Sequence, residues 1–212
     1  MKAFIYTGGK IYPENITEHP KPDDLRIAAD GGYNNAKILG ERIDIALGDF
    51  DSLGKDADAI PEKVEKIKVP AEKDETDTQL AVNTALSRGA DEIVIIGGLD
   101  GRLDHTLSNL AILEAMSEMG VHCVMTNGQN RARYIKSTST LIARSGFDYL
   151  SIIAADEKVK GVSVEGCKYP LNNAKLSRKF QYAVSNEIIG NCALISVKKG
   201  GIFIVESKDI KN

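Results

Sequence analysis

The sequence predicts an α/β part at the amino terminus and a smaller all-β part after it. Short apolar runs alternate with helix-like stretches from residue 1 to about residue 128. Beyond about residue 131 the apolar runs follow at short spacing, separated by glycine and asparagine turns without a helix-length pattern. Apolar strands that alternate with helices are typical of a parallel sheet covered on both faces. We expect a Rossmann-like parallel sheet flanked by helices in residues 1–129 and an antiparallel β-sandwich in residues 130–212.

Five strands and two helices are predicted in the amino-terminal part. The strands are apolar runs that end in glycine or aspartate in four of the five cases, and they cover residues 3–7, 25–29, 43–47, 93–96 and 121–125. Helical spacing of apolar residues, followed by a glycine, predicts helices over residues 78–87 and 106–119. In the second helix the expected apolar rows contain Leu107, Leu110, Ala111, Ala115 and Met119.

The remaining strands are predicted in the all-β part, at residues 140–143, 149–153, 162–164, 192–197 and 202–205. Their close spacing and the turns between them favour an antiparallel arrangement.

Composition and charge indicate a cytoplasmic globular protein. The 27 basic and 30 acidic side chains give a net charge of −3, which predicts no affinity for nucleic acid. The amino terminus has too short an apolar run for a signal peptide, and no run approaches membrane-spanning length. The three cysteines match no zinc or redox spacing, so we expect reduced thiols buried as small hydrophobic groups.

Aspartates gather at the ends of the predicted strands. Asp30, Asp49 and Asp51 each follow an apolar run, and Asp77 opens a predicted helix. A single aspartate at such a place is more often a turn or helix-capping residue. Several carboxylates at one sheet edge repel one another unless a cation lies among them, and oxygen-only ligands favour Mg²⁺. Because Mg²⁺ commonly completes its shell with phosphate oxygens, this pattern indicates a phosphate-bearing substrate.

Glycines and one arginine support an anion site at the same edge. The pairs at residues 8–9, 31–32 and 97–98 would let backbone N–H groups approach phosphate closely, although tight turns explain paired glycines equally well. Arg102 offers a planar fork to phosphate, or alternatively an ion pair with Asp100 or Asp104. His105 could orient a ligand or satisfy a helix end. The chain has neither a GxxxxGK[ST] nor a GxGxxG motif.

Five motifs in order carry a family resemblance. They are ADGG at 29–32, GDFDS at 48–52, KDETDTQ at 73–79, GGLDGRLDH at 97–105 and SNE at 185–187. Together they resemble the thiamine pyrophosphokinase family over essentially the whole chain. The resemblance implies transfer of pyrophosphate from ATP to the hydroxyl of thiamine, which gives thiamine diphosphate and AMP. It also implies a homodimer in which the α/β half of one subunit and the β half of the other hold thiamine.

Residue roles follow from the resemblance. It implies catalytic roles for Asp30 and Arg102, and Mg²⁺ ligation by Asp49, Asp51 and Asp77. The residues assigned to ATP are Gly8, Gly9, Asp74, Gln79, Gly98, Asp104 and His105. Those assigned to thiamine are Ser185, Asn186 and Tyr169, with Phe203 as an alternative aromatic face, because this chain lacks the tryptophan that some members place there.

Alternatives remain at this level. A related Mg²⁺-dependent pyrophosphokinase could act on another alcohol such as a pterin, and the acid cluster alone would also suit a phosphohydrolase. A non-catalytic nucleotide or thiamine sensor would keep the pocket but has little use for so many metal-directed carboxylates. The placement of Asp30 makes it a candidate general base for the accepting hydroxyl.

Overall fold

The computed structural model describes residues 1–48, 60–69 and 74–209. The chain divides into two compact units, Met1–Gly128 and Gln129–Asn212. The elements of the first unit are β1 (Lys2–Tyr6), β2 (Leu25–Ala29), α1 (Gly32–Ile38), β3 (Ile45–Gly48), β4 (Glu65–Lys68), α2 (Asp77–Ser87), β5 (Glu92–Ile96), α3 (Leu103–Glu118) and β6 (His122–Thr126), with a 3₁₀ turn at Pro13–Asn15.

The strands of the first unit form a parallel sheet in the order β4-β3-β2-β1-β5-β6. Every neighbouring pair in this order is parallel. The chain builds outward from β1 to β4 on one side and then returns to place β5 on the other side of β1. In such sheets, ligands bind beyond the carboxyl ends of the strands at the point where the order reverses. Here that point lies between β1 and β5.

The predicted fold class is confirmed for this part, with differences in detail. Strand β3 begins at Ile45, two residues later than expected. Strand β4 and helix α1 were not predicted, because three of the four residues of β4 are charged and α1 is only seven residues long. Both lack the apolar spacing on which recognition of an element from sequence depends.

Helix α3 buries a different face from the expected one. Its buried residues are Asn109, Ile112, Leu113 and Met116, whereas Leu107 is 59% and Met119 63% exposed. Apolar residues lie all round this helix, so periodicity alone does not select the face. The residues that pack inward include a polar one, Asn109, which has a hydrogen-bond partner there.

The second unit is entirely β. Its strands are β7 (Asn130–Lys136), β8 (Ser139–Ala143), β9 (Tyr149–Ala154), β10 (Lys158–Glu165), β11 (Leu171–Ser177), β12 (Cys192–Ser196) and β13 (Gly201–Ser207). Strand β13 pairs antiparallel with β7 and β9, and a separate four-stranded antiparallel sheet has the order β11-β10-β12-β8. Residues of both groups, including Ile152, Val162, Ile195 and Ile204, share one buried core.

This arrangement confirms the predicted all-β fold, although β7 and β11 were not predicted. Both strands carry several polar residues, in the sequences NRARYIK and LNNAKLS. The expectation of three buried thiols is correct for Cys123 and Cys167 and wrong for Cys192, which is exposed on β12. Within the described ranges, no helix is both long and apolar enough to span a lipid bilayer.

Candidate active site

A cleft of about 440 Å³ lies at the carboxyl ends of β1, β2 and β5, where α2 and α3 begin. We call it the strand-end cleft. It is lined by residues from four separate segments of the first unit, namely Thr7, Gly8, Gly9, Ala29, Asp30, Gly31, Thr76, Asp77, Thr78, Gly98, Asp100, Gly101, Arg102, His105 and Asn109. The sheet therefore brings three of the predicted catalytic residues, Asp30, Asp77 and Arg102, to one place.

Two glycine turns contribute Gly8, Gly9 and Gly98 to the lining of the strand-end cleft. The first turn, Gly8–Gly9, follows β1, and the second, Gly97–Gly98, follows β5. They contact each other directly, because the N–H of Gly98 donates to the carbonyl of Gly8 at 3.3 Å. Gly97 has φ +104°, and a Cβ there would lie 2.7 Å from the carbonyl oxygen of Thr7. Only glycine fits this close backbone approach.

Asp30 follows directly on β2 and has a left-handed backbone conformation, with φ +45°. Its N–H donates to the carbonyl of Leu47 at 2.8 Å, which anchors the bend to β3. Gly48 lies against it, because a Cβ at Gly48 would come within 3.2 Å of the Asp30 Cα. A non-glycine residue in this conformation is strained by roughly 1–3 kcal/mol, and such residues occur preferentially at functional sites.

Helix α2 presents its amino terminus to the strand-end cleft. Thr76 is its N-cap, and the hydroxyl oxygen accepts from the N–H of Gln79 at 3.2 Å. Asp77 is the first helical residue and the acidic residue of the first turn. The cap fixes where the helix starts, so Thr76 indirectly fixes the place of the Asp77 carboxylate on the cleft wall.

Arg102 and Asp104 form a two-point ion pair at the start of α3. Arg102 donates through Nε to Oδ1 at 3.1 Å and through the terminal nitrogen to Oδ2 at 2.6 Å. The hydrogen bond from Arg102 lowers the pKa of Asp104 below its usual range, and the same bond raises the pKa of Arg102. Arg102 lines the cleft and Asp104 does not. The alternative of an ion pair is therefore correct and compatible with a place in the cleft.

Two of the other predicted residues do not line the cleft, and two fall outside the described residues. Gln79 donates through its side chain to Asn83 at 3.1 Å, and neither Gln79 nor Asp74 is among the cleft-lining residues. Asp49 and Asp51 fall outside the described residues. Among the residues that are described, no group of three acidic, histidine or cysteine side chains could hold a metal ion. Asp30 and Asp77 supply carboxylate oxygens to the cleft, which is the ligand type that suits Mg²⁺.

Two buried asparagines near the glycine turns were not predicted. Asn35 of α1 donates through Nδ2 to the carbonyls of Thr7 at 2.7 Å and Gly9 at 3.0 Å. Asn109 of α3 donates through Nδ2 to the carbonyl of Gly98 at 3.0 Å. An asparagine within an apolar helix face is the sequence signal that could have found Asn109.

The SNE motif of the second unit lies in an ordered corner. Ser185 has a left-handed φ of +57°, and its N–H donates to the Ser151 hydroxyl at 3.0 Å. The buried Asn186 amide accepts from the N–H groups of Tyr169 and Glu187, both at 2.9 Å, and donates to the Tyr169 carbonyl at 2.7 Å. Asn186 therefore ties the motif to the segment that carries Tyr169, whose ring is 60% exposed.

Two family models match the chain. The first, described as "Thiamin pyrophosphokinase, catalytic domain", matches residues 18–125, which contain most of the strand-end cleft. The second, described as "Thiamin pyrophosphokinase, vitamin B1 binding domain", matches residues 138–202. The chain belongs to the thiamin pyrophosphokinase family. This assignment confirms the family resemblance, and with it the prediction of an enzyme with thiamine pyrophosphokinase activity.

Known family members are similar over nearly the full length. The thiamine pyrophosphokinase of Bacillus subtilis is 31% identical over 209 residues, which cover 97% of this chain and 98% of that protein. The crystal structure of the Bacillus subtilis enzyme superposes with a TM-score of 0.90 at 27% identity, over 99% of this chain and 100% of that one. The enzyme of Geobacillus thermodenitrificans gives 0.85 at 28% identity, over 99% and 98%.

Proposed function

We propose that the strand-end cleft binds the triphosphate of ATP during the pyrophosphoryl transfer that this family catalyses. The transfer joins the β-phosphorus to the hydroxyl oxygen of thiamine and releases AMP. One observation supports the proposal most directly: Asp30, Asp77, Arg102 and the two glycine turns line one cleft. Most of these residues lie in the segment that matches the catalytic domain. Acidic, basic and backbone N–H groups together suit a metal-bound polyphosphate.

Asp49, Asp51 and Asp77 are proposed to hold Mg²⁺. Asp77 lines the strand-end cleft, and Asp49 follows directly on Gly48, the last residue of β3. Strand β3 pairs with β2, so Asp49 follows a strand that neighbours the one that Asp30 follows. Bound Mg²⁺ neutralises charge on phosphate oxygens, which is the main electrostatic need of phosphoryl transfer.

Arg102 and Asp30 have separate roles in the proposal. Arg102 remains 74% exposed although it is paired with Asp104, so its guanidinium can donate to a phosphate oxygen. Asp30 is held by its backbone at the cleft wall and is assigned to orient the accepting hydroxyl or to take its proton. Positioned general bases contribute roughly 10²–10⁴-fold to such reactions.

Thiamine is proposed to contact Ser185, Asn186 and Tyr169 of the second unit. The exposed ring of Tyr169 offers a π face for the positively charged thiazolium. Lys168 lies 5.6 Å from the centre of this ring and is paired with Glu187 at 2.8 Å. Tyr169 is the more exposed of the two aromatic residues, which supports its assignment over that of Phe203, whose ring packs against Tyr134 at 5.2 Å.

A homodimer is proposed as the working assembly. Leu141 of β8 is directly opposite Leu194 of β12, and the two side chains are 64% and 37% exposed. The neighbouring pair on these strands, Ala143 and Cys192, is also exposed. A second copy of the chain would cover this apolar face, which is costly to leave in water. Sedimentation velocity over a range of protein concentrations tests the assembly.

The decisive experiment follows ATP, Mg²⁺ and thiamine by ³¹P NMR in the presence of the protein. We expect AMP together with a new diphosphate ester. Formation of ADP, or of free phosphate without an alcohol acceptor, would contradict the proposal and favour a phosphohydrolase. A competition among thiamine, a hydroxymethylpterin and simple alcohols identifies the acceptor. Binding of ATP and thiamine without any turnover would favour a sensor.

A further inference from the structure

We infer that Asn35 and Asn109 are positioning residues for nucleotide binding, acting through the two glycine turns. The inference rests on the proposed function and adds two residues that none of the five motif assignments includes. Both side chains are almost fully buried, at 6% and 5% exposure. In each, the side-chain Nδ2 donates to a backbone carbonyl of a glycine turn and not to the helix that carries the asparagine.

Asn35 closes the first turn. Its Nδ2 bonds the carbonyls of Thr7 and Gly9, which are the residues on either side of Gly8. With both carbonyls held from one side, the peptide groups of this exposed turn have a fixed direction. Among the described residues, the N–H groups of Gly8 and Gly9 have no hydrogen-bond partner. They are therefore donors that remain available to a phosphate in the cleft.

Asn109 holds the second turn in the same way. Its Nδ2 bonds the carbonyl of Gly98, whose φ is +72°, and a Cβ at Gly98 would lie only 2.8 Å from that nitrogen. A side chain at residue 98 would therefore collide with the Asn109 amide, so the hydrogen bond requires glycine there. Because the Gly98 N–H bonds the Gly8 carbonyl, the two asparagines hold opposite ends of one hydrogen-bonded unit.

Neither asparagine carries charge. The Asn35 amide nitrogen bonds two turn carbonyls, and that of Asn109, which also lines the cleft, bonds one. Their loss would leave Asp30, Asp77 and Arg102 in the protein but would let the turn peptides rotate away from the phosphates. A preformed backbone anion site loses affinity when its geometry loosens, because ordering must then occur on binding.

The test compares Asn35→Ala and Asn109→Ala with the wild type in steady-state kinetics. We expect the KM for ATP to rise about tenfold in each, which is the size expected for losing one or two preorganised hydrogen bonds. The KM for thiamine should stay within twofold. Faster amide hydrogen exchange in residues 7–10 for the first variant and 97–101 for the second should accompany the change. Asn35→Leu and Asn109→Leu keep the side-chain volume and replace any alanine variant that does not fold.

Matched controls are Ala36→Gly and Leu113→Ala, which weaken the same two helices at buried residues that bond neither turn. If these controls raise the KM for ATP as much as the asparagine variants do, the inference is overturned in favour of general destabilisation. An unchanged KM for ATP in both asparagine variants also overturns it. Should the wild type prove inactive, calorimetric titration with ATP alone still measures the effect, so failure of the proposed function and failure of this inference remain distinguishable.

Discussion

The guanidinium of Arg102 and the carboxylate of Asp104 lie in a two-point contact at the first turn of α3, with the shorter bond at 2.6 Å. Both groups are at the surface, where an ion pair adds little to stability because water and salt screen it. The ion pair instead restricts the orientation of the flexible Arg102 side chain, which lines the strand-end cleft. We therefore propose that Asp104 acts on the site through Arg102.

A double-mutant comparison tests this relationship. Asp104→Ala should raise the KM for ATP severalfold by freeing Arg102, and Arg102→Ala should raise it more. The double variant should resemble Arg102→Ala alone, because residues that act as one unit are not additive. Additive losses would show that Asp104 contacts substrate independently. Thermal unfolding should be nearly the same in all four proteins.

Replacing the metal-directed aspartates should remove activity without unfolding the protein. For Asp77→Asn, and equally for Asp49→Asn and Asp51→Asn, we expect kcat to fall by about 10²-fold or more, which is typical for groups that organise charge in the transition state. Raising the Mg²⁺ concentration should recover part of the loss. Asp23→Asn, an exposed acid on a loop, is the control. Near-normal turnover of any of the three variants at limiting Mg²⁺ would refute its role as a metal ligand.

The Asn186 amide should govern thiamine binding and leave ATP binding unchanged. Asn186→Ala removes the bonds that hold Tyr169, so we expect a KM for thiamine at least tenfold higher, in line with the loss of a buried polar anchor. Asn191→Ala, at an exposed position before β12, serves as the control. A rise in the KM for ATP of the same size would mean that the change is global. Tyr169→Phe should behave like the wild type, and Tyr169→Ala like Asn186→Ala.

Thiol labelling should distinguish the three cysteines. Burial raises the pKa of Cys123 to about 12 and also raises the pKa of Cys167, so both remain neutral thiols at pH 8. In the native protein we expect only Cys192 to react with a maleimide or disulfide reagent. If a second copy covers β8 and β12, labelling of Cys192 should slow as the protein concentration rises. Labelling that is fast at every concentration would contradict a dimer through this face.

The same burial gives a pH dependence of stability. The folded state holds Cys123 protonated, whereas an unfolded thiol ionises near pH 8.5. The unfolded state therefore releases a proton first as the pH rises. The contribution of this residue is fully present below about pH 8.5 and is lost progressively toward about pH 12. Cys123→Val should flatten this part of the denaturation profile.

The sequence was sufficient for the alternation of strands and helices in the first unit, for the all-β second unit, and for the acids and glycines that follow the predicted strands. Strand β2 was predicted at its observed bounds, because four of its five residues are apolar and Asp30, Gly31 and Gly32 follow it directly. Strand β4 could not be predicted, because Glu65–Lys68 carries mainly charged residues. It is a strand because it pairs with β3, and that pairing forms only in the folded protein.

The asparagine positions show a second reason for what was not predicted. Asparagine is common in turns and caps, so its presence in α1 and α3 can mark a buried polar residue but does not identify the partner, which is Gly9 for Asn35 and Gly98 for Asn109. The same holds for Asn186, whose motif was recognised but whose partner, the backbone of Tyr169, lies 17 residues away. Residue types predict which chemical groups are available. The partners of long-range hydrogen bonds cannot be predicted in the same way, because they are set by the tertiary structure.

The central position of β1 also governs how the molecule is made. Lys2 pairs with Glu92, 92 − 2 = 90 residues later in the chain, while β1 meets β2 after a much shorter interval. A ribosome releases the first glycine turn early, but its companion after β5 emerges only when nearly half of the protein has been synthesised. Contacts of such long sequence separation slow folding. Until β5 has been synthesised, one edge of β1 in the nascent chain has no strand partner. We expect chaperone binding during translation to be strongest at this stage.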